Sequence, residues 1–276
     1  MFALDRYTRR LRRALKRRWR PNEVESFSEK LEAQQVHLRQ LESLLAYQGL
    51  HARIPPRHLQ IRVSGVFDPN FFDLGVGLRS GIENMLGKIG IELEDCEKIL
   101  DFGCGCGRVT IPLSFKVDRS KVFGCDIDPE AIQWCSENLA GFGGFAVNPH
   151  HPPSGFADEE FDLVLGVSVF THLPEDIQFE WLEELRRITR KQGHLVLTFH
   201  GERYYGLLSK ENHEEFLDYG FSHSNLGGTT EGLPNFYLTT LHTHAYIENH
   251  WSKFFQIISI EKGAVFGQDA VLLKNP

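Results

Sequence analysis

The stretch that most constrains this chain is residues 99–110, ILDFGCGCGRVT, a short apolar run, an aspartate, and then glycine at positions 103, 105 and 107. An apolar run that ends in alternating glycines reads as a buried strand turning sharply into a helix, here expected from Arg108 onward. Without a Cβ, those glycines let the backbone turn tightly and approach a ligand closely. The turn then lies at the carboxyl edge of a strand, where open α/β sheets bind ligands. Taken alone, the triplet is a weak signal, and a tight turn with no ligand is the lesser alternative.

The rest of the chain repeats the same rhythm. Strand candidates fall at 98–101, 122–126, 144–147, 161–167 and 194–200. Helical spacing runs through Leu78, Ile82, Leu86 and Ile89, and again through Ile177, Trp181, Leu185 and Ile188 behind Pro174. Strand, helix, strand in this order predicts a parallel sheet covered on both faces. The last two strands, 254–260 and 270–274, are separated by EKGAVFGQD, which is too short for a crossover helix. They are expected to pair antiparallel.

The chain has 276 residues, 41% of them hydrophobic, enough for one large domain plus an extension. No apolar run approaches the roughly 18–20 residues of a spanning helix, and the start lacks a secretory segment, so a soluble, cytoplasmic protein is expected. Five cysteines without framework spacing fit reduced thiols. Cys104 with Cys106, and Cys125 with Cys135, lack the two-residue gap of zinc knuckles, so no metal is expected.

The net charge of -7 hides an asymmetry. Residues 1–20 hold nine Lys/Arg against one acid, leaving 21 against 36 in the remainder. Leu4, Tyr7, Leu11, Leu15 and Trp19 give this arm an apolar stripe among arginines. Three readings stay open for it: a helix packed on its own domain, peripheral contact with the inner face of a membrane, or a transit or nucleic-acid arm. Residues 22–48 carry about three heptads, through Val24, Phe27, Leu31, Gln34, Leu38, Leu41 and Leu45, and ask for a helical partner, either the first helix or a second copy in a homodimer. Residues 1–50 therefore read as a helical extension, and 51–276 as the domain that carries the chemistry.

Two familiar glycine loops are a poor match. A dinucleotide fingerprint places its third glycine at position 108, which is arginine here, and a phosphate loop needs a Gly-Lys-Ser/Thr that does not follow. The next strand ends in Asp126, whose carboxylate can accept two hydrogen bonds from a ribose diol without any phosphate nearby. Asp128, before Pro129, is placed to cap the following helix.

Asp101 with Gly103, Gly105 and Gly107, then Asp126, then FDLVLGVSVFTHLPED, resembles the class I S-adenosylmethionine-dependent methyltransferases over about 61–276. DFGCGCGR, SVFTHL, LTFHG and GQDAVLL resemble bacterial small-molecule members, many encoded beside glycan or secondary-metabolite genes. The resemblance implies a Rossmann-like α/β fold, with a seven-stranded, mostly parallel sheet whose last strand pair is antiparallel. It places the methionine end of S-adenosylmethionine against Asp101, Gly103, Cys104 and Gly105, and its ribose on Asp126. Ile127 would flank the adenine and Asn148 would read its edge, while Gly166, Val167 and Ser168 would offer backbone groups to the amino-acid part. S-adenosylhomocysteine would be the product.

A hydroxyl acceptor would need a base near neutral pKa, and His172 and His200 stand at strand ends where an acceptor should arrive. His172 is the first choice, and for each histidine a structural role is the alternative. Residues 201–243 depart from the core rhythm and are placed to cover the acceptor. Tyr204, Tyr205, Phe236, Tyr237, His242 and His244 would line an aromatic pocket or form the core of a minor subdomain, and His242 and His244 share a face if that segment is extended. Nucleic acid is disfavoured as acceptor, because GVSVFT lacks the Asp/Asn-Pro-Pro-aromatic element of amino methyltransferases and the body is acidic. The expected function is methyl transfer to a small molecule, a sugar, glycan or lipid-linked intermediate among the candidates. The alternative is a catalytically silent cofactor-binding subunit for assembly or membrane docking.

Overall fold

The computed structural model describes residues 53–226 and 232–276. The basic arm of residues 1–20 and the heptads of 22–48 lie outside the described residues.

Seven strands form the main sheet: β1 (Ile99–Phe102), β2 (Val122–Asp126), β3 (Gly144–Val147), β4 (Phe161–Gly166), β5 (Thr189–Phe199), β8 (Gln256–Val265) and β9 (Gln268–Lys274). Their order is β3-β2-β1-β4-β5-β9-β8. The first five run parallel, and β9 is antiparallel to both β5 and β8. The chain reverses direction of growth across the sheet after β3, so β1 and β4 sit side by side where open α/β sheets leave a crevice. Ile99 pairs with Val122 on one side and Leu163 on the other, which aligns the carboxyl ends of the three strands. Burial on both faces explains why β1 and β4 read as apolar runs rather than alternating strands.

One face is covered by α2 (Phe71–Gly87), whose Leu78, Ile82, Met85 and Leu86 pack with Leu163, Leu165, Val196 and Leu272. The other is covered by α5 (Glu175–Ile188), with Ile177, Trp181, Leu185 and Ile188 against Phe102, Leu195 and Leu197. A short α1 (Arg57–Ser64) precedes these, α3 (Thr110–Ser114) follows the glycine turn, and α4 (Pro129–Asn138) follows β2. The helix expected from Arg108 begins two residues later, because residues 107–109 complete the turn. There, α2 approaches so closely that a Cβ on Gly75 would lie 1.8 Å from the Arg108 carbonyl oxygen. Ile89, counted on the face of α2, lies past its end and is exposed. Strand β5 starts five residues earlier than expected, because Asn275 Nδ2 donates to the Thr189 carbonyl oxygen at 2.7 Å and Thr189 pairs with Phe161.

Residues 201–243 contain a 3-10 helix (Glu202–Leu207), α6 (Lys210–Tyr219), and a two-stranded antiparallel sheet of β6 (Phe221–Ser224) and β7 (Thr239–His242). The small sheet joins the carboxyl edge of the large one. Thr240 N donates to the Thr171 carbonyl oxygen at 2.8 Å, and His242 N donates to that of His200 at 2.9 Å. The chain then enters α7 (His244–Trp251). Among the described residues no helix is long and apolar enough to cross a membrane.

Candidate active site

The glycine turn is tied to the end of β2. Gly103 N and Cys104 N both donate to the Cys125 carbonyl oxygen, at 2.8 and 2.9 Å. Gly105 N donates to Asp126 Oδ2 at 2.7 Å, while Asp126 Oδ1 accepts from Asp128 N at 2.9 Å. Gly103 and Gly105 have φ of +75° and +52°, a region costly for residues with a Cβ. A Cβ at those positions would lie 2.2 Å from Val169 Cγ2 and 2.6 Å from Val63 Cγ2. Asp128 caps α4 as its spacing implies, accepting from the backbone of Glu130 and Ala131 ahead of Pro129.

Buried Asp101 accepts from Thr110 Oγ1 at 2.6 Å. Desolvation raises its carboxyl to about 6 against the opposing pull of that hydrogen bond. Burial also raises Asp126, offset by the backbone N–H groups of Asp128 and Gly105.

A first cavity of about 100 Å³ opens over this turn. Of the ten residues the sequence assigns to a cofactor, nine line it: Asp101, Gly103, Cys104, Gly105, Asp126, Ile127, Asn148, Val167 and Ser168. Gly166 does not line it; its missing side chain admits Leu197, whose Cδ2 would stand 2.7 Å from a Cβ there. Ser168 has φ +60°, held by a hydrogen bond from its N–H to Thr198 Oγ1 at 2.8 Å and by Gln268, which donates to Ser168 Oγ at 2.8 Å. Arg62 and Val63 of α1, with Phe236 and Tyr237, also line this cavity, and sequence reasoning missed Arg62 and Val63. Arg62 pairs with Asp128 and Glu130, each at 2.7 Å.

A second cavity, of about 410 Å³, shares Arg62, Val63, Arg108, Ser168 and Tyr237 with the first and is bordered by His172, His200 and Tyr204. His172 Nδ1 lies 2.9 Å from the Leu238 carbonyl oxygen. A carbonyl only accepts, so Nδ1 carries the proton and Nε2 keeps its lone pair. The ring stacks on Tyr237 with centroids 4.1 Å apart, while His200 lies against Tyr204 at 4.0 Å. Burial lowers both histidines to about 4, so both are neutral at pH 7.

The other aromatics of 201–243 divide between pocket and core. Tyr204, Phe236 and Tyr237 reach the cavities. Tyr205 packs on Phe216 and donates to the His242 carbonyl oxygen. His242 is fully buried, with Nε2 donating to Gln178 Oε1 at 3.0 Å, and His244 opens α7 and pairs with Asp269 at 2.7 Å. These two histidines do not share a strand face, because the chain turns from β7 into α7 at Thr243.

A family profile described as "Methyltransferase domain" matches residues 100–195, from the glycine strand through α5 into β5. Residues 100–195 carry a methyltransferase domain. The fold agrees with that of solved structures. A SAM-dependent methyltransferase from Methanosarcina mazei is 21% identical, covers 69% of this chain and 96% of its own, and has a TM-score of 0.50. Magnesium protoporphyrin IX methyltransferase from Synechocystis PCC 6803, solved with S-adenosylhomocysteine, is 19% identical over 79% of this chain and 94% of its own, with a TM-score of 0.51. In sequence, the chain is 34% identical over 67 residues to the rRNA N(6)-adenosine-methyltransferase metl-5 of Caenorhabditis elegans. That match is 24% of this chain and spans about a quarter (28%) of the relative.

The residues of the first cavity fit the cofactor. Asp126 uses one lone pair on each oxygen for backbone N–H groups, which leaves capacity for a ribose diol. The buried Asn148 side chain makes no hydrogen bond among the described residues and faces the same cavity. Asp101, Asp126 and Asp128 complement the cationic sulfonium and ammonium of the donor.

Proposed function

We propose that this methyltransferase acts on a small-molecule acceptor seated in the second cavity, with His172 as general base. The observation that carries this reading is the juxtaposition of the two cavities across Arg108, Ser168 and Tyr237, with the His172 ring in the wall of the second. Bound in the first cavity, S-adenosylmethionine supplies an electrophilic methyl on a sulfonium that becomes neutral as the methyl leaves. Asp101, Asp126 and the glycine turn fix its position, since an in-line displacement depends mainly on alignment at about 3 Å. Tyr237 and Leu238, from 201–243, help wall off the acceptor from water. His172 Nε2 accepts the proton of an acceptor hydroxyl, while Nδ1–H stays on Leu238.

The metl-5 relative acts on rRNA, but the matched stretch excludes most of that protein. After β4 the present chain reads GVSVFT, without the Pro-Pro-aromatic element that holds a flipped base, and the insert covers that edge. The test offers labelled S-adenosylmethionine to the purified protein with a small-metabolite extract and, separately, with total RNA. Label in a low-mass product, lost in His172→Ala, supports the reading. Label in RNA alone rejects it.

A further inference from the structure

The two cavities differ in charge. Arg62 and Arg108 stand in the wall of both, but Asp101, Asp126 and Asp128 border only the first, and among the described residues the wall of the second holds no carboxylate. Arg62 is committed to Asp128 and Glu130. Arg108 has no ion pair and no side-chain hydrogen bond among the described residues, although it is largely buried and desolvation lowers its pKa. Asp101 acts on it through space, but that carboxylate already accepts from Thr110. A desolvated cation facing a cavity is unfavourable until something brings a counter-charge. The planar guanidinium fork matches a carboxylate or a phosphate, each of which it can engage through two parallel N–H donors.

We propose that the second cavity takes an acceptor bearing a carboxylate or phosphate, anchored on the Arg108 guanidinium. This rests on the methyltransferase reading above and names the class of acceptor. The cofactor's own carboxylate is the competing source of the anion, because Arg108 stands on the wall common to both cavities. Wall charge favours the acceptor: three carboxylates oppose an anion in the first cavity, and none does in the second. The two tyrosines that back the histidines, Tyr237 and Tyr204, supply flat apolar surface for the body of such a molecule. An anion beside neutral His172 and His200 also favours proton uptake by imidazole, which the general-base role requires.

The test compares benzoate and phenyl phosphate with neutral benzamide, by saturation-transfer NMR and calorimetry on the full-length protein, free and saturated with S-adenosylhomocysteine. Both states show a preference of about tenfold or more for an anion over benzamide, the scale of a charge-assisted bidentate pair. Which anion wins separates carboxylate from phosphate. Arg108→Gln abolishes the preference, Arg108→Lys retains part of it, and both variants bind S-adenosylhomocysteine as the wild type does. Equal binding of benzoate, phenyl phosphate and benzamide to the wild type overturns the proposal and needs no variant to fold. So does a loss of S-adenosylhomocysteine affinity in Arg108→Gln with the anion preference intact, which would assign Arg108 to the cofactor. A wild-type protein that binds no S-adenosylhomocysteine fails the methyltransferase reading instead, and the cofactor-free titrations still decide the anion site.

Discussion

His172 Nδ1 hydrogen-bonds to the carbonyl oxygen of Leu238, 66 residues away in the chain, at 2.9 Å. This contact fixes the tautomer from the insert side, so the segment that covers the acceptor also orients the candidate base. His172→Ala should lower kcat by about 10²–10⁴-fold, the usual contribution of a general base, with S-adenosylhomocysteine affinity unchanged. His172→Gln keeps a polar side chain but no titratable nitrogen, and should be as inactive. With the pKa lowered to about 4, kcat/KM of the wild type should stay flat on its acid side down to roughly pH 5 and fall as Nε2 protonates. A Gln variant with wild-type kcat would leave His172 a structural role only.

Asp126 joins the glycine turn to the start of α4 through Gly105 N and Asp128 N. Asp126→Ala therefore removes both the candidate ribose acceptor and the partner of two backbone donors. Calorimetric titration should show S-adenosylhomocysteine binding lost, and thermal unfolding should show a cost of about 1–3 kcal/mol from the stranded donors. Asp126→Asn can still accept one of those bonds and should recover part of the stability without recovering the affinity. Full cofactor affinity in the Ala variant would remove Asp126 from the site.

What could be read in the sequence was local. The glycine turn, the carboxylate ending β2 and the Asp128-Pro129 cap each lie within a few residues of the geometry they create, and all occur as expected. Five parallel strands followed by an antiparallel pair were visible as apolar runs and a short final connection. Contacts between distant segments were not visible. Nothing in HLQIRVS says that Arg62 reaches Asp128 across 66 residues, or in GQDAVLL that Gln268 supports Ser168 across 100. The β6–β7 pair escaped notice because each strand is four residues long and polar on average. The shared face assigned to His242 and His244 failed because Thr243 caps a helix, its hydroxyl accepting from Tyr246 N at 3.1 Å.

Asp101 should make cofactor binding depend on pH. Its carboxyl, raised to about 6 mainly by burial, is partly protonated near pH 6. A cationic ligand in the cavity that Asp101 lines favours the carboxylate, so S-adenosylmethionine binding at pH 6 should release protons and weaken as pH falls further. The binding heat at pH 6 should then differ between two buffers of unlike ionisation enthalpy, with the difference absent at pH 8. Asp101→Asn should erase the buffer dependence. Equal heats in both buffers at pH 6 would mean that the charge on Asp101 is not linked to the ligand.

His242 gives a pH signature that belongs to the fold rather than the site. Its ring is fully buried among Phe199, Phe221, Tyr246 and Trp251; Nε2 donates to Gln178, and Nδ1 has no partner among the described residues. Desolvation lowers its pKa to about 3, against 6.5 for a free histidine. Below pH 6.5 the unfolded chain takes up a proton that the folded chain refuses. Stability from this group is therefore complete above 6.5 and declines as pH falls toward 3, by up to about 1.4 kcal/mol per pH unit. Asp101 works in the opposite sense, because its raised pKa lets the folded chain bind the proton first as pH falls from 6. The difference between wild type and His242→Gln cancels Asp101 and isolates the histidine. At pH 7 the variant should be the less stable by about 1–3 kcal/mol, since it disturbs a filled core and a buried hydrogen bond. Urea unfolding at pH 5 should show that gap narrowed, because the variant has no imidazole to protonate on unfolding. Parallel stability curves for the two proteins between pH 7 and 5 would show that His242 protonates alike in the folded and unfolded states.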